Sequence, residues 1–114
     1  MAQGSKSRHK RLETLNLVSL SHKNDEGELD LELVGRTLDL SEGGILLEIH
    51  RPLPSQNRMV EVTLGIKEHV VQTSGEIVHQ RELEDGTIGL GIAFRDISDE
   101  DASVITRFLD EDEE

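Results

Sequence analysis

The sequence predicts an all-β domain of short antiparallel strands that is followed by one helix. Apolar residues alternate with polar ones in several segments, which is the period of a strand with one buried face. Turn signals containing glycine or proline separate these segments at fairly even spacing. Helical spacing of apolar residues is clear in one segment, near the carboxyl end of the 114-residue chain. This pattern is typical of a sandwich or a barrel.

The first half of the chain contains the first strands. Apolar residues recur over residues 12–20, which suits a strand, and they alternate strictly with acidic residues over 29–33. The extended pattern continues over 36–41, and Gly43 and Gly44 end it.

The next strands are predicted over residues 45–49, 60–66 and 70–79. Two prolines follow residue 49 and exclude the segment after it from a central ladder position. Gly75 interrupts the third of these segments, which indicates either a bulge or a close approach of another backbone.

A turn over residues 84–86 precedes the last predicted strand, over 88–94. The count therefore reaches six or seven strands. A barrel has the advantage that it leaves no open sheet edge.

The predicted helix begins after Ser98, a suitable N-cap, and its first turn is acidic, which favours the positive end of the helix dipole. The acids from Asp110 onward oppose the dipole at the other end and are expected to fray it. The apolar face of the helix consists of Ala102, Ile105, Phe108 and Leu109.

These elements predict one domain over residues 11–109, a basic arm over 1–10 and an acidic tail over 110–114, because a chain of 114 residues has room for one domain. The core is expected to be aliphatic, since 16 Leu, 8 Val and 8 Ile accompany 2 Phe, no Trp and no Tyr.

Composition argues against several classes of function. The net charge of −12 repels nucleic acid, and side-chain rings on which bases could stack are almost absent. The chain has no cysteine and no apolar run long enough to cross a bilayer, so we expect a cytoplasmic protein without a membrane span. No serine-hydrolase elbow, P-loop or metal-binding histidine spacing occurs, and we expect neither an enzyme nor a bound cofactor or metal.

The segment with the most specific chemistry is Asp39-Leu40-Ser41-Glu42-Gly43-Gly44. Asp39 can accept hydrogen bonds from guanine N1–H and N2–H₂, Ser41 can donate or accept, and a glycine admits a ring or a phosphate close to the backbone. Arginines of the arm can offer paired donors to guanine or to phosphate. The same residue types are also ordinary turn formers, so spacing alone leaves a purely structural turn open.

At this point the chain resembles the PilZ domain family, bacterial receptors for cyclic di-GMP. Three stretches are similar: the basic cluster that leads into an apolar strand at Arg11-Leu12, the turn at residues 39–44, which matches the family's [D/N]xSxxG, and residues 89–94, which are similar to its closing strand. The likeness covers about residues 8–109.

The resemblance implies a six-stranded antiparallel barrel with one carboxyl-terminal helix, in a signalling protein that binds cyclic di-GMP and acts on a protein partner. In the family an RxxxR pair on the arm folds over the dinucleotide. Carried over to this chain, the predicted ligand-binding residues are Arg8, Arg11, Asp39, Ser41, Gly43 and Gly44. His79, which precedes the last hairpin, is a further candidate for stacking on guanine.

The arm departs from the family pattern at one position. Arg11 matches the second arginine of RxxxR, but Ser7 stands where the first is expected, and Arg8 is three residues from Arg11. Two hypotheses therefore stay open: a cyclic di-GMP receptor in which Arg8 substitutes, and a PilZ-type adaptor that binds a protein without the dinucleotide.

Overall fold

The computed structural model describes residues 17–53 and 58–112. In this part of the chain six strands form one closed barrel in the order β1-β2-β3-β6-β5-β4, and every neighbouring pair is antiparallel. The predicted barrel with a carboxyl-terminal helix is confirmed. The elements are β1 Leu17–Lys23, β2 Leu29–Leu40, β3 Gly44–Ile49, β4 Met59–Ile66, β5 His69–Glu82, β6 Ile88–Arg95 and α1 Asp99–Asp112.

Apolar and polar residues alternate along the strands, so the apolar side chains point inward and fill the barrel. On β4 the inward residues are almost completely buried, while the residues between them face outward or are half-buried. Removing these side chains from water is the main favourable contribution to folding. The fully buried branched residues include Val18, Leu20, Leu47, Ile49, Val60, Val62, Leu64, Val71 and Leu90.

Helix α1 packs against β4 and β5 at one end of the barrel. Because neighbouring strands are antiparallel, β1, β3 and β5 begin at this end and β2, β4 and β6 finish there; we call it the α1 end. The helix contributes Val104, Ile105 and Phe108 to the core. Its amphipathic face therefore adds to the one core that the strands enclose.

The amino end of α1 is capped as its sequence predicts. Ser98 Oγ accepts a hydrogen bond of 3.0 Å from the Asp101 amide, and Asp99, Glu100 and Asp101 form an acidic first turn. The helix continues through Asp112, so it includes three residues of the predicted tail.

Two tight hairpins, between β1 and β2 and between β5 and β6, lie at the end of the barrel opposite α1. Polar side chains stabilise both turns by hydrogen bonds to the backbone. Asn24 Oδ1 accepts hydrogen bonds from the Glu26 and Glu28 amides at 2.9 and 3.0 Å. Gly86, with φ +88°, lies in the predicted turn over residues 84–86 and donates to the Leu83 carbonyl. Hydrogen bonds from the Thr87 hydroxyl and amide lower the pKa of Asp85 from its ordinary value of 3.8.

The structure decides between alternatives that the sequence left open at two glycines. Residues 29–33 and 36–41 belong to one strand, β2, which continues through Gly35, so the described residues contain six strands. At Gly75 the pairing with β4 and β6 keeps its register, and a Cβ would lie 2.5 Å from Ile92 Cγ2 and 3.3 Å from the Ala93 carbonyl oxygen, so the close approach is confirmed and the bulge is not. The part of the first predicted strand over residues 12–16 lies outside the described residues.

No helix within residues 17–53 and 58–112 has the length and apolar character that a membrane span requires.

Candidate functional site

The turn at residues 39–44 connects β2 to β3 at the α1 end, and a β-bulge sets its orientation. Thr37 pairs with Leu47, but Asp39 pairs with Leu46, so Leu38 is an extra residue in β2. Such a residue reverses which side chains face outward beyond it. Asp39 is accordingly exposed and Leu40 is buried.

Ser41 closes the turn through backbone and side-chain hydrogen bonds. Its amide donates to the Gly44 carbonyl at 2.9 Å, and its hydroxyl donates to the same oxygen at 3.3 Å. Asp39 Oδ1 accepts from the Leu40 amide at 3.0 Å, whereas Oδ2 has no hydrogen-bond partner among the described residues. Asp39 and Ser41 are thus oriented by the turn, and each keeps acceptor capacity toward solvent.

The two glycines of the turn have different surroundings. A Cβ on Gly44 would overlap the Ile92 carbonyl oxygen of β6, whereas a Cβ on Gly43 would meet nothing within 4 Å. Neither glycine has a positive φ. The Gly43 carbonyl accepts a hydrogen bond of 2.9 Å from the Phe94 amide. The close approach of β6 by itself requires glycine at Gly44, a reason that the sequence analysis did not identify.

The outward face beside the turn forms a row across four strands. Asp39 pairs with Leu46, Leu46 with Gly91, and Gly91 with His79. Strands β2 and β5 are three positions apart in the closed six-stranded barrel, so they lie on opposite sides of it. Asp39 and His79 are both exposed, but they do not share one face of the barrel.

Small residues of β6 form the outer surface next to β3. Gly91 and Ala93 alternate with Leu90, Ile92 and Phe94, which point into the core. Ala93 pairs with Gly44, and a Cβ on Gly91 would lie 3.1 Å from the His79 Cβ. Gly91 and Ala93 alternate in the sequence with large apolar residues, and this alternation was the signal that they face outward.

The turn also contacts the helix. Thr106 Oγ1 donates a hydrogen bond of 3.2 Å to Glu42 Oε2. The hydrogen bond between Phe94 and Gly43 connects the turn to β6, and this contact connects it to α1.

Of the predicted ligand-binding residues, the structure brings Asp39, Ser41, Gly43 and Gly44 together in one exposed turn. Arg8 and Arg11 lie outside the described residues. Within residues 17–53 and 58–112, no group of three His, Asp or Glu side chains is arranged to bind a metal ion.

Comparison with solved structures identifies similar folds. The PilZ domain of YcgR from Escherichia coli, solved with c-di-GMP, is 15% identical with a TM-score of 0.59, and the alignment covers 83% of this chain and 80% of that one. The PilZ domain of CeSA from a cellulose-synthesizing bacterium is 15% identical with a TM-score of 0.57, covering 86% and 94%. At such identities the likeness establishes the fold alone.

The inhibitor of motility MotI/DgrA from Bacillus subtilis is 14% identical with a TM-score of 0.67. The alignment covers 85% of this chain but 46% of that protein, so the chain spans less than half of its length. Comparison with curated proteins finds no match. The model of the PilZ domain matches residues 5–111, nearly the whole sequence. The chain therefore belongs to the PilZ domain family.

Proposed function

We propose that this protein is a non-catalytic receptor for cyclic di-GMP that holds the dinucleotide between its basic arm and the turn at residues 39–44. Arg8 and Arg11 bind guanine or phosphate from the arm, and Asp39 and Ser41 bind from the turn. Ligand binding orders the arm against the barrel, and the changed surface alters the activity of a protein partner in bacterial signalling.

The register of β1 and β2 is the observation that carries this proposal. Leu17, the first residue of β1, pairs with Arg36, and the two strands are antiparallel. Leu17, to which the arm is connected, therefore lies at the α1 end, toward which β2 continues to Asp39.

The distances along the chain are sufficient for contact. Arg11 precedes Leu17 by six residues, which can span about 20 Å when extended. Asp39 follows Arg36 by three residues, or about 10 Å along β2. Both arginines are thus within reach of a ligand on the turn.

The chemistry of the two segments is complementary to that ligand. Asp39 Oδ2 can accept hydrogen bonds from guanine, and a Cβ on Gly43 would meet nothing within 4 Å, so the same turn has open space at this glycine. Although the net charge of the chain is −12, the arm is positively charged and can bind the phosphates of the ligand. The small residues Gly91 and Ala93 leave the adjoining face accessible, and exposed His79 borders it.

Isothermal titration calorimetry of the full chain with cyclic di-GMP tests the proposal. Losing one charge-assisted hydrogen bond costs about 1.5–3 kcal/mol, or roughly tenfold to over a hundredfold in affinity. Arg11→Ala and Asp39→Ala should each weaken binding by at least about tenfold. Absence of binding to the wild-type chain at high micromolar ligand would refute the proposal.

Matched controls lie at the opposite end of the barrel. Arg51 is exposed just after β3, and Asp25 is exposed in the turn between β1 and β2. Arg51→Ala and Asp25→Ala make the same changes in charge without touching the α1 end. They should leave the affinity for cyclic di-GMP within about twofold of the wild type.

A second function is favoured by one observation, the serine at residue 7 where the family's RxxxR has arginine. In this case the chain is an adaptor whose barrel binds a protein without the dinucleotide. Ser7→Arg distinguishes the two functions. Tight binding that is present in the Ser7→Arg variant and absent from the wild type identifies the adaptor.

A further inference from the structure

A pocket of about 200 Å³ lies at the α1 end, between the β4–β5 turn and the helix. Its floor is apolar and consists of Ile66, Val104 and Phe108, all of which belong to the core. Its rim consists of Lys67 from the turn, His69 from β5 and Arg107 from α1. We call it the Lys67 pocket. None of its lining residues belongs to the turn at residues 39–44.

The charge of the Lys67 pocket is opposite to that of the whole chain. Lys67 and Arg107 each contribute a positive charge to the rim. Glu68 is the single carboxylate among the lining residues. A net positive rim on a protein of charge −12 favours an acidic ligand at this place.

The backbone of Lys67 is unusual for a lysine. Ile66 pairs with His69, so Lys67 and Glu68 form a two-residue hairpin turn, and Lys67 has φ +57°. Glycine is the usual residue at such a position. The lysine instead places its Nζ 5.9 Å from the centroid of the Phe108 ring, at the boundary of the apolar floor and the charged rim.

The size of the pocket restricts what it can hold. Small-molecule sites usually have volumes of about 300–1,000 Å³, so 200 Å³ is small for a nucleotide or a similar ligand. One apolar side chain would fill it, which is how an anchor residue of a protein partner binds.

From these features we infer that the Lys67 pocket docks a protein partner through one apolar side chain flanked by Asp or Glu. The side chain packs on Phe108 and Val104, and the flanking carboxylates pair with Lys67 and Arg107. This docking does not depend on cyclic di-GMP, so its test is made without the dinucleotide and the two proposals can fail separately.

The test is a titration of the ¹⁵N-labelled full chain with the capped peptide acetyl-EDFED-amide, followed by amide chemical shifts. Perturbed amides should cluster at Lys67, His69 and Arg107, with a dissociation constant below about 1 mM. Replacing the peptide Phe by Ala, or its acids by Gln and Asn, should weaken binding by at least about fivefold.

Two variants of the protein separate binding from folding. Lys67→Gly removes the ammonium group at a position whose φ suits glycine, so the fold should be kept while peptide affinity falls at least about fivefold. Arg107→Gln, on the exposed side of the helix, should act similarly. Arg51→Gln is the control and should leave the affinity unchanged.

Three results would overturn the inference. Absence of localised shift changes at about 5 mM peptide excludes this docking chemistry. Equal binding of the neutral peptide shows that the rim charges play no part. Binding of phenylacetate as tightly as the peptide identifies a site for a small carboxylate and not for a protein.

Discussion

Replacing Gly44 by alanine should destabilise the fold, and replacing its neighbour Gly43 should not. A Cβ on Gly44 would overlap the Ile92 carbonyl oxygen, and the ladder between β3 and β6 begins with the pair Gly44 and Ala93. Strand backbones cannot rotate away as a flexible side chain can. Strands β3 and β6 must therefore separate locally, next to the hydrogen bond between Phe94 and Gly43.

The magnitude follows from these two contributions. Overpacking in a well-packed region costs about 1–3 kcal/mol. Weakening one backbone hydrogen bond adds about 0.5–1.5 kcal/mol. We expect Gly44→Ala to lower the free energy of unfolding by about 1.5–4.5 kcal/mol, a large fraction of the roughly 5–15 kcal/mol that is usual for a domain.

Urea denaturation, followed by far-ultraviolet circular dichroism, measures this difference. Gly44→Ala should lower the midpoint without changing the slope, because the surface exposed on unfolding is nearly the same. Gly43→Ala is the matched control, since a Cβ there meets nothing within 4 Å and φ is not positive. It should stay within about 0.5 kcal/mol of the wild type.

Two outcomes contradict this reasoning. If Gly44→Ala unfolds at the wild-type midpoint, β6 does not pass as close to Gly44 as the structure has it. If both variants lose the same stability, the sensitivity belongs to the turn itself and not to the approach of β6.

Two further predictions concern stability elsewhere. Thr37 is buried, and its Oγ1 has no hydrogen-bond partner within residues 17–53 and 58–112. Thr37→Val should therefore raise the free energy of unfolding by about 1 kcal/mol in the same urea assay, and a loss of stability would contradict this reasoning. Ser98→Ala removes the cap on the Asp101 amide and should cost about 1 kcal/mol, while Ser103→Ala at an exposed position inside α1 should not. Equal effects of the two serine substitutions would contradict the capping role.

Much of the fold could be predicted because local patterns determine it. The alternation over residues 60–66 and 88–94 specifies strands with one buried face, and Ser98 specifies the helix start. The order of strands in the barrel could not be predicted from these patterns, since β6 inserts between β3 and β5 through contacts distant in sequence. The pattern left open whether residues 29–33 and 36–41 form one strand or two, because it does not show what lies beside Gly35, which packs against Ile49 of β3.

The sequence identified the residues of the turn at 39–44, but not how the structure orients them. The motif identified the turn, but the bulge at Leu38, which makes Asp39 face outward, was not predicted. Its signal is a change of phase: leucines stand at odd positions over residues 29–33 and at even positions at Leu38 and Leu40. The reason for glycine at Gly44 lies in Ile92 of another strand. A residue type alone cannot show whether a ligand or a neighbouring backbone occupies the space beside it.

The pairing of β3 with β6 also determines when the turn can take its shape. Gly43 and Gly44 contact Phe94 and Ile92, about 50 residues later in the sequence. During synthesis on the ribosome, residues 39–44 emerge well before β6 does. The turn can therefore reach its native conformation only after nearly the whole barrel has been translated. A fragment that stops before β6 is expected to lack the native conformation of the turn. This six-residue motif is therefore expected to be among the last parts of the molecule to assemble.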